Sequence, residues 1–201
     1  LNNRNNSRGT SVSLLLVYLI LFFVGIKMIK VTIVGWRYTP KDIMAIMIRL
    51  TSKLENDGCR LRTGDCPIGG DLACRSGVKH RANIEVYTPF EEIPQLGYDL
   101  VDELHGRPSK LTPMGRKLMA RNAMQVLGRN CDDPSNLLVC YTEDGCLNHA
   151  SRTKDTGGTG QAISIADKYG VKILNLSDYS HLELVEQYLI NEIELDTLIN
   201  K

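Results

Sequence analysis

After an apolar N-terminal segment, the chain alternates between short runs of β-branched residues and longer segments with apolar residues at helical spacing. The first run covers residues 29–34, and the segment from Pro40 to about Asn56 then places its apolar side chains on one helical face. A second strand, a helix and a third strand are predicted at residues 59–62, 71–78 and 83–87. This β-α-β-α-β order is typical of a parallel sheet with right-handed crossovers.

A long connection separates this half of the chain from the next predicted helix. Residues 88–111 contain three prolines and two glycines, and we expect them to form an irregular flap over the edge of the sheet. Loops of this length in compact domains are often functional. Thr112 is predicted to cap a helix over residues 113–127, because Pro113 suits the first helical position.

The last third of the chain repeats the alternation. Residues 137–141 have the sequence LLVCY and are apolar on both faces, as expected of a central parallel strand. After a glycine-rich loop, a helix, a fifth strand and a terminal amphipathic helix are predicted at residues 160–169, 171–176 and 178–198. The whole pattern predicts an α/β fold with a Rossmann-like open parallel sheet of about five strands and helices on both faces.

The N-terminal segment allows two interpretations. Residues 12–26 are almost wholly apolar and follow a polar, basic stretch, as in a signal sequence or a membrane anchor. The segment is shorter than the roughly 20 residues that span a bilayer upright, and it lacks a clear small-x-small cleavage site. Since Met28 stands directly before the first strand, we interpret residues 1–27 as upstream translation or poorly defined sequence, and residues 28–201 as a single domain. The alternative is a genuine anchor.

The glycine-rich loop lies within residues 154–166, KDTGGTGQAISIA, between a predicted strand and a predicted helix. Three glycines at positions 157, 158 and 160 allow backbone amides to approach an anion closely. The N-terminus of the following helix adds roughly half a positive charge at this point. The alternative is a tight strand-to-helix connection that holds no ligand.

A second loop of the same kind, TGDCPIGGD, occupies residues 63–71 after the second predicted strand. The carboxyl ends of parallel strands lie along one edge of a sheet, so both loops should meet the loop at residues 35–37 in one cleft. Two helix N-termini, at residues 69–72 and 158–161, would then offer anion-binding positions. The planar guanidinium of Arg37 suits a phosphate group there.

Composition limits the classes of function. Hydrophobic residues make up 43% and charged residues 23% of the 201, as in one globular domain. Removing the positive charges of Arg4, Arg8 and Lys27 from the formal net charge of +1 leaves −2, which disfavours a broad footprint on nucleic acid. Six cysteines and four histidines are dispersed without CxxC or zinc-type spacing. This favours reduced thiols in a cytoplasmic protein, and it indicates no metal site.

The three loops together resemble those of the SLOG superfamily of Rossmann-like nucleotide-binding proteins. The motifs are Gly35-x-Arg37, TGDCPIGGDLA at residues 63–73 and TGGTGQAISIA at residues 156–166. The superfamily includes the DNA-processing protein DprA, the cytokinin-activating LOG proteins, and small YspA-like or DprA-like proteins of bacteria and phages. The likeness covers about residues 28–180. Its first half is closer to the YspA-like branch, with the form G-x-x-P-x-G-x-D, and its later half to the phage DprA-like branch.

The resemblance implies that a phosphorylated nucleotide or nucleotide-derived small molecule binds in the cleft, and that no separate cofactor is needed. The implied ligand-binding residues are Gly35, Trp36, Arg37, Thr63, Gly64, Asp65, Gly69, Gly70, Asp71, Arg121, Asn122, Thr156, Gly157, Gly158, Thr159, Gly160 and Gln161.

Several of these residues have a purely structural alternative. Asp71 either caps its helix, which we favour, or binds a ribose hydroxyl. Arg121 and Asn122 are either surface polar residues of their helix or, as in a phage DprA-like protein, a pair that faces the cleft. Trp36, the only tryptophan, is either a core side chain or a platform for base stacking.

Enzyme status depends on one departure from the family pattern. LOG phosphoribohydrolases carry a PGGxGTxxE motif whose glutamate acts on the N-glycosidic bond, and such chemistry needs a general acid or base. The matching run here, residues 156–164, contains no carboxylate. Hydrolysis by that route is therefore not expected. A nucleoside-phosphate glycosidase or transferase would instead have to use Asp65, Asp71 or Glu143.

We interpret the sequence as that of a binding protein for a nucleotide or nucleotide-derived ligand: a sensor, a regulator or, if phage-encoded, a protein that sequesters a signal nucleotide. The enzyme described above is one alternative. DprA-like binding of single-stranded DNA is another, through a basic helix face formed by Arg116, Lys117, Arg121 and Arg129. Assembly into a homo-oligomer is a further possibility that the sequence leaves open. A membrane partner is expected only if residues 12–26 are an anchor.

Overall fold

The computed structural model of the protein describes residues 28–200, so the interpretations of residues 1–27 lie outside the described residues. Its strands are β1 Lys30–Ile33, β2 Arg60–Gly64, β3 Ile84–Tyr87, β4 Leu137–Cys140 and β5 Lys172–Asn175. They form one parallel sheet in the order β3-β2-β1-β4-β5. The predicted open α/β sheet is confirmed.

The helices cover both faces of this sheet. They are α1 Lys41–Asn56, α2 Gly69–Gly77, α3 Gln95–Leu104, α4 Pro113–Leu127, α5 Thr159–Lys168, α6 Tyr179–Leu189 and α7 Leu195–Asn200. The interior strand β4 shows the two layers clearly. Leu137 and Val139 pack in a cluster with α1, α2 and α6, whereas Leu138 and Cys140 pack in a second cluster with α3, α4 and α5. All four side chains are completely buried, which explains the continuous apolar run of this strand.

The irregular flap predicted for residues 88–111 is wrong in its centre, because α3 lies there. Pro94 directly precedes this helix, where a missing backbone N–H is tolerated. Gly97 brings α3 close to α4, since a Cβ on it would lie 2.9 Å from the carbonyl oxygen of Ala120. The proline and the glycine that indicated a loop therefore begin the helix and allow it to pack.

The single terminal helix predicted for residues 178–198 is also wrong, since the chain turns after α6. Asn191 has a φ of 60°, in the left-handed region that ends helices. Its side-chain oxygen accepts a hydrogen bond of 2.8 Å from Lys53 Nζ, which holds the turn against α1. The short helix α7 begins after this turn.

The predicted start of α4 is confirmed. Thr112 Oγ1 accepts a hydrogen bond of 3.1 Å from the amide of Gly115, and Pro113 occupies the first helical position. From this cap the helix runs inward, and its second half is buried. Polar residues of that half consequently lie inside the protein, beside the carboxyl ends of β1 and β2.

Candidate functional site

A cleft of about 490 Å³ opens at the carboxyl edge of the sheet. It lies at the point where the strand order reverses, with β2 on one side of β1 and β4 on the other. Ligands of open α/β sheets bind at such a point. Residues 35–38, residues 65–67 and the start of α5 contribute to the lining, together with one face of α4. The three predicted loops thus meet in one cleft.

The glycines at the start of α2 serve packing between two backbones. A Cβ on Gly70 would collide with the amide of Gly35, and a Cβ on Gly69 would collide with the carbonyl oxygen of Trp36. Gly69 also has a φ of 70°, which favours glycine. These two glycines bring α2 against the loop after β1, and neither belongs to the lining of the cleft.

The loop after β1 provides one wall of the cleft. The Trp36 side chain is half-buried, lines the cleft and belongs to neither apolar cluster. Its ring meets that of Tyr38 edge to face, with the centroids 5.2 Å apart. Its amide donates to the carbonyl oxygen of Tyr141, which fixes the loop to the end of β4. Arg37 is exposed beside it at the cleft.

The glycine-rich loop lies opposite this wall and leads directly into α5. Gly157 has a φ of 63°, and a Cβ on it would approach the Trp36 ring to 3.4 Å. Within residues 28–200, the amides of Gly157, Gly158 and Thr159 donate to no acceptor. Unpaired amides at a helix N-terminus attract an anion. Gly158 and Thr159 line the cleft, so these amides are close to it.

The carboxylate of Asp144 holds the glycine-rich loop in place. It accepts hydrogen bonds from the hydroxyls of Thr153 and Thr156, and a third bond from the amide of Cys146. Burial alone would raise the pKa of Asp144, but these bonds lower it below its ordinary value. Thr156 is fully buried and occupied by this bond, so its hydroxyl faces away from the cleft.

Asp65, Asp71, Arg121 and Gln125 form the polar floor of the cleft. Arg121 lies 3.6 Å from a carboxylate oxygen of Asp65 and 3.6 Å from one of Asp71. Both distances are longer than a hydrogen bond. A Cβ on Gly64 would collide with the side chains of Asp71, Arg121 and Gln125, so glycine is required beneath them. Gly64, one of the predicted site residues, therefore leaves space for the polar side chains of the floor.

The favoured interpretation of Asp71 as a helix cap is wrong. Ile68 occupies the position before α2, without a side-chain cap. The Asp71 carboxylate instead accepts a bond of 3.4 Å from the amide of Cys66 and faces the cleft. Burial raises the pKa of Asp71, although the positive charge of Arg121 and the bond from Cys66 act in the opposite direction.

The structure places Arg121 and Asn122 at the cleft, both buried. The surface interpretation of this pair is therefore wrong. Gln125 is a site residue that the sequence interpretation missed, although it lies four positions after Arg121 and so on the same helical face. Its side-chain nitrogen is buried and has no hydrogen-bond partner among the described residues.

Three of the predicted site residues lie behind the cleft. Thr63 donates its hydroxyl to the carbonyl oxygen of Ile33, at 2.6 Å, and so joins β2 to β1. Gln161 donates to the carbonyl oxygen of Leu100, at 3.0 Å. A Cβ on Gly160 would lie 2.7 Å from Arg152 Nε. These residues support the loops from behind and do not line the cleft.

Few other groups along residues 28–200 are suited to catalysis. All six cysteines are free thiols, and burial raises the pKa of Cys74 to about 12 and that of Cys131 to about 11. The described residues contain no cluster of three or more His, Cys, Asp or Glu side chains that could hold a metal ion. Glu143, the third candidate carboxylate, is exposed and lies outside the cleft lining.

The basic helix face considered for DNA binding is not available as a unit. Arg116 pairs with Asp102 through two hydrogen bonds of 2.5 and 2.6 Å, and Arg129 pairs with Glu91 at 2.7 Å. Arg121 points into the cleft instead of outward. Lys117 is the one member of the proposed face that is exposed without an ion pair in the described part of the chain.

Comparison with known proteins identifies no relative of this chain. No family model matches it, and neither the curated proteins nor the solved structures contain a significant match. Among the described helices, none has the length and apolar character needed to cross a membrane.

Proposed function

We propose that this protein binds a nucleotide or a nucleotide-derived ligand in the cleft at the carboxyl edge of the sheet. The proposal is carried by two features that meet where the strand order reverses: a helix N-terminus with free amides, and a polar floor. In that floor Arg121 Nε and Gln125 Nε2 are buried without a hydrogen-bond partner among residues 28–200. Such groups are costly unless a ligand or water satisfies them. The resemblance of the three loops to the SLOG superfamily supports the same function.

The glycine-rich loop suits the phosphate end of this ligand. Three free amides and the positive end of the α5 dipole favour an anion beside Gly158. Arg37 lies at the cleft with its guanidinium exposed and without an ion pair within residues 28–200. Its long side chain supplies the mobile positive charge that a phosphate attracts.

The wall formed by Trp36 and Tyr38 suits the base of the ligand. An indole ring that is half-buried and edge-on to an exposed phenol offers a π surface to a planar ring. Stacking on an aromatic side chain is worth roughly 1 to 3 kcal/mol per base and does not depend strongly on base identity. The proposed role is therefore recognition, as a sensor, a regulator or a protein that sequesters a signal nucleotide.

A glycosidase or transferase is the second candidate, because of Asp71. Its buried carboxylate has a raised pKa and lies beside the partly exposed Asp65, on the same guanidinium. Two carboxyl groups in different environments are able to divide the roles of acid and base. Recovery of an intact nucleotide monophosphate after incubation with the protein, judged by chromatography, is expected for a binder, whereas release of free base that is lost in Asp71→Asn would establish the enzyme.

Calorimetry on the purified protein tests the binding proposal. Native mass spectrometry first identifies any co-purifying nucleotide, and nucleotide monophosphates serve as probes otherwise. Arg37→Ala should weaken binding by about ten- to hundredfold, as for one lost charge-assisted contact. Arg107→Ala is the matched control, because Arg107 is exposed and lies outside the cleft lining. Equal losses in the two variants, or no binding by the native protein, would reject the proposal.

A further inference from the structure

The polar floor of the cleft has much unused hydrogen-bonding capacity. Arg121 Nε and Gln125 Nε2 are buried N–H donors without an acceptor among residues 28–200. The Asp71 carboxylate, with a side chain only 7% exposed, accepts one long bond from Cys66, at 3.4 Å. Within the same residues, no hydrogen bond reaches the Asp65 carboxylate. Two donors without acceptors and two carboxylates with spare acceptor sites therefore lie at one place.

This convergence is a built feature of the fold. Asp65 follows the last residue of β2 directly, while Arg121 and Gln125 are one turn apart on the inner face of α4. Gly64 lies beneath them, and any side chain on it would displace three of the four groups. Buried polar groups normally have partners within the protein, so a cluster that lacks them points to an external one.

The two carboxylates of the floor disfavour a phosphate as that partner. Asp65 and Asp71 face the guanidinium of Arg121, and the positive charge of Arg75 also reaches Asp71. The Arg75 guanidinium is bound to the carbonyl oxygens of Gly64 and Cys66. An anion on the floor would meet the carboxylates of Asp65 and Asp71 at close range, while both guanidiniums are already engaged by oxygen atoms of the protein. The floor therefore suits a neutral group that both donates and accepts hydrogen bonds.

We infer that the floor binds the vicinal diol of a ribose ring, so that the ligand is a ribonucleotide and not a deoxyribonucleotide. Each hydroxyl group has one donor and two acceptor sites. Two neighbouring hydroxyls would donate to Asp65 and Asp71, and would accept from Arg121 Nε and Gln125 Nε2. Each hydroxyl would thus make one donated and one accepted hydrogen bond on the floor. The inference rests on the proposed function, because it assigns the second part of the same ligand.

The position of the floor relative to the glycine-rich loop fits a single ligand. Asn122 Nδ2 donates to the carbonyl oxygen of Gly158, at 3.3 Å, and the neighbouring Arg121 faces the carboxylates. Consecutive residues of α4 therefore connect the proposed phosphate end to the proposed sugar end. In open α/β proteins of related topology, an acidic residue also binds the ribose of a dinucleotide.

The test compares matched ribonucleotides and deoxyribonucleotides on the unmodified protein. Isothermal calorimetry is run with AMP, GMP, CMP and UMP and with their 2′-deoxy and 3′-deoxy counterparts. For each ribonucleotide that binds, loss of either hydroxyl should weaken binding about tenfold or more, since it leaves a buried N–H donor of the floor without its acceptor. Asp65→Ala should weaken binding of the ribonucleotide. It should also reduce the difference in affinity between the ribonucleotide and its deoxy counterparts to less than about threefold.

Asp132→Ala is the matched control. Asp132 is exposed and precedes β4, so it lies at the edge of the sheet opposite to the cleft. This variant should keep the native preference for the ribonucleotide. Asp65 is one-third exposed, and circular dichroism should show that its variant is folded.

Three results would overturn the inference, and they differ in whether the proposed nucleotide binding still holds. Equal affinity for ribonucleotides and deoxyribonucleotides would reject diol recognition and leave nucleotide binding intact, with a base edge on the floor as the remaining arrangement. If Asp65→Ala kept the full native preference for ribonucleotides over deoxyribonucleotides, the diol would have to bind somewhere other than the floor. No binding by any member of the panel would reject the proposed function together with this inference.

Discussion

The side-chain amide of Asn122 donates a hydrogen bond of 3.3 Å to the main-chain carbonyl oxygen of Gly158. This bond connects the middle of α4 to the last residue before α5, and both residues line the cleft. The same carbonyl oxygen also accepts a hydrogen bond of 3.2 Å from the amide of Gln161, in the first turn of α5. The position of the glycine-rich loop thus depends on a residue that is remote in the sequence.

Removing this bond should affect the cleft more than the fold. Asn122→Ala is expected to cost about 0.5 to 1.5 kcal/mol in unfolding free energy, as for one neutral hydrogen bond. Nucleotide affinity should fall as well, because the loop loses its connection to α4. Gln95→Ala is the control, since Gln95 makes an exposed side-chain bond to Asp99 within α3. Thermal unfolding of both variants measures the change in stability, and calorimetry measures the change in nucleotide affinity. An unchanged affinity in Asn122→Ala would limit the bond to a structural role.

Gly158→Val should block the cleft without unfolding the protein. Gly158 has a φ of −67° and a ψ of −26°, which any residue adopts. The closest atom to a new Cβ is the flexible end of Met119, at 3.4 Å, so the fold has room for it. The valine methyls would occupy the space that an anion needs beside the free amides.

Binding and stability of Gly158→Val are measured together. Calorimetry should show loss of nucleotide binding, and the melting temperature should stay within a few degrees of the native value. Gly106→Val is the control, because no atom lies within 4 Å of its added Cβ. Native affinity in Gly158→Val would place the ligand elsewhere.

Gly70→Ala should destabilise the fold itself. Its Cβ would collide with the backbone of Gly35 and Val34, and backbone atoms cannot rotate away as a side chain does. We expect a loss of about 1 to 3 kcal/mol in unfolding free energy, as for an overpacked core. Chemical denaturation of Gly70→Ala beside Gly106→Ala measures it. Equal stability of the two variants would show that α2 is able to move away from the loop after β1.

Acid should destabilise the protein through Glu55, at the end of α1. Its carboxylate accepts hydrogen bonds from the amides of Lys79 and His80, at 2.7 and 2.8 Å. Burial alone would raise the pKa of Glu55, but these bonds lower it below its ordinary value of 4.5. The unfolded chain therefore binds the proton more readily, so the stabilisation is present above about pH 4.5 and is lost as the pH falls through the folded-state pKa.

Glu55→Gln should remove this part of the acid dependence. The free energy of unfolding is measured from pH 7 to pH 3, and the variant should be less stable than the native protein at pH 7 but approach it at low pH. Glu186→Gln is the control, since Glu186 is exposed on α6. A pH dependence in Glu55→Gln as steep as in the native protein would contradict the role of this carboxylate.

Most of the sheet was predictable because strand and crossover patterns are local. The runs at residues 29–34 and 137–141 correspond to β1 and β4. Thr112 marks the start of α4 in the sequence, because its side chain caps the helix. Two predictions failed where a residue acts through tertiary contacts. Gly97 suggests a loop by its type, yet it allows α3 to pack against α4. Asn191 ends α6 although its neighbours continue the apolar pattern, because the bond from Lys53 holds a left-handed residue in place.

The cleft was predictable as a meeting of loops and only partly as a set of side chains. Topology alone brings residues 35–37 and 158–159 to one edge of the sheet. The spacing of Arg121 and Gln125 places both on one helical face, but which polar groups are left without partners depends on how α4 lies over β2. Gln125 was therefore missed, and Asp71 was assigned to a cap. The same reason explains why Thr156 and Gln161 turn out to support the loop from behind.

The distribution of thiols gives the cleft a chemical handle of its own. Cys59, Cys74, Cys131, Cys140 and Cys146 are buried, whereas Cys66 is half-buried and lines the cleft. An alkylating reagent at neutral pH consequently meets one accessible sulfur first, at the rim of the site. The rate at which Cys66 is alkylated then measures how much of the cleft is occupied by ligand, because a ligand that fills the cleft shields this sulfur. The other five thiols are buried and do not contribute to the signal.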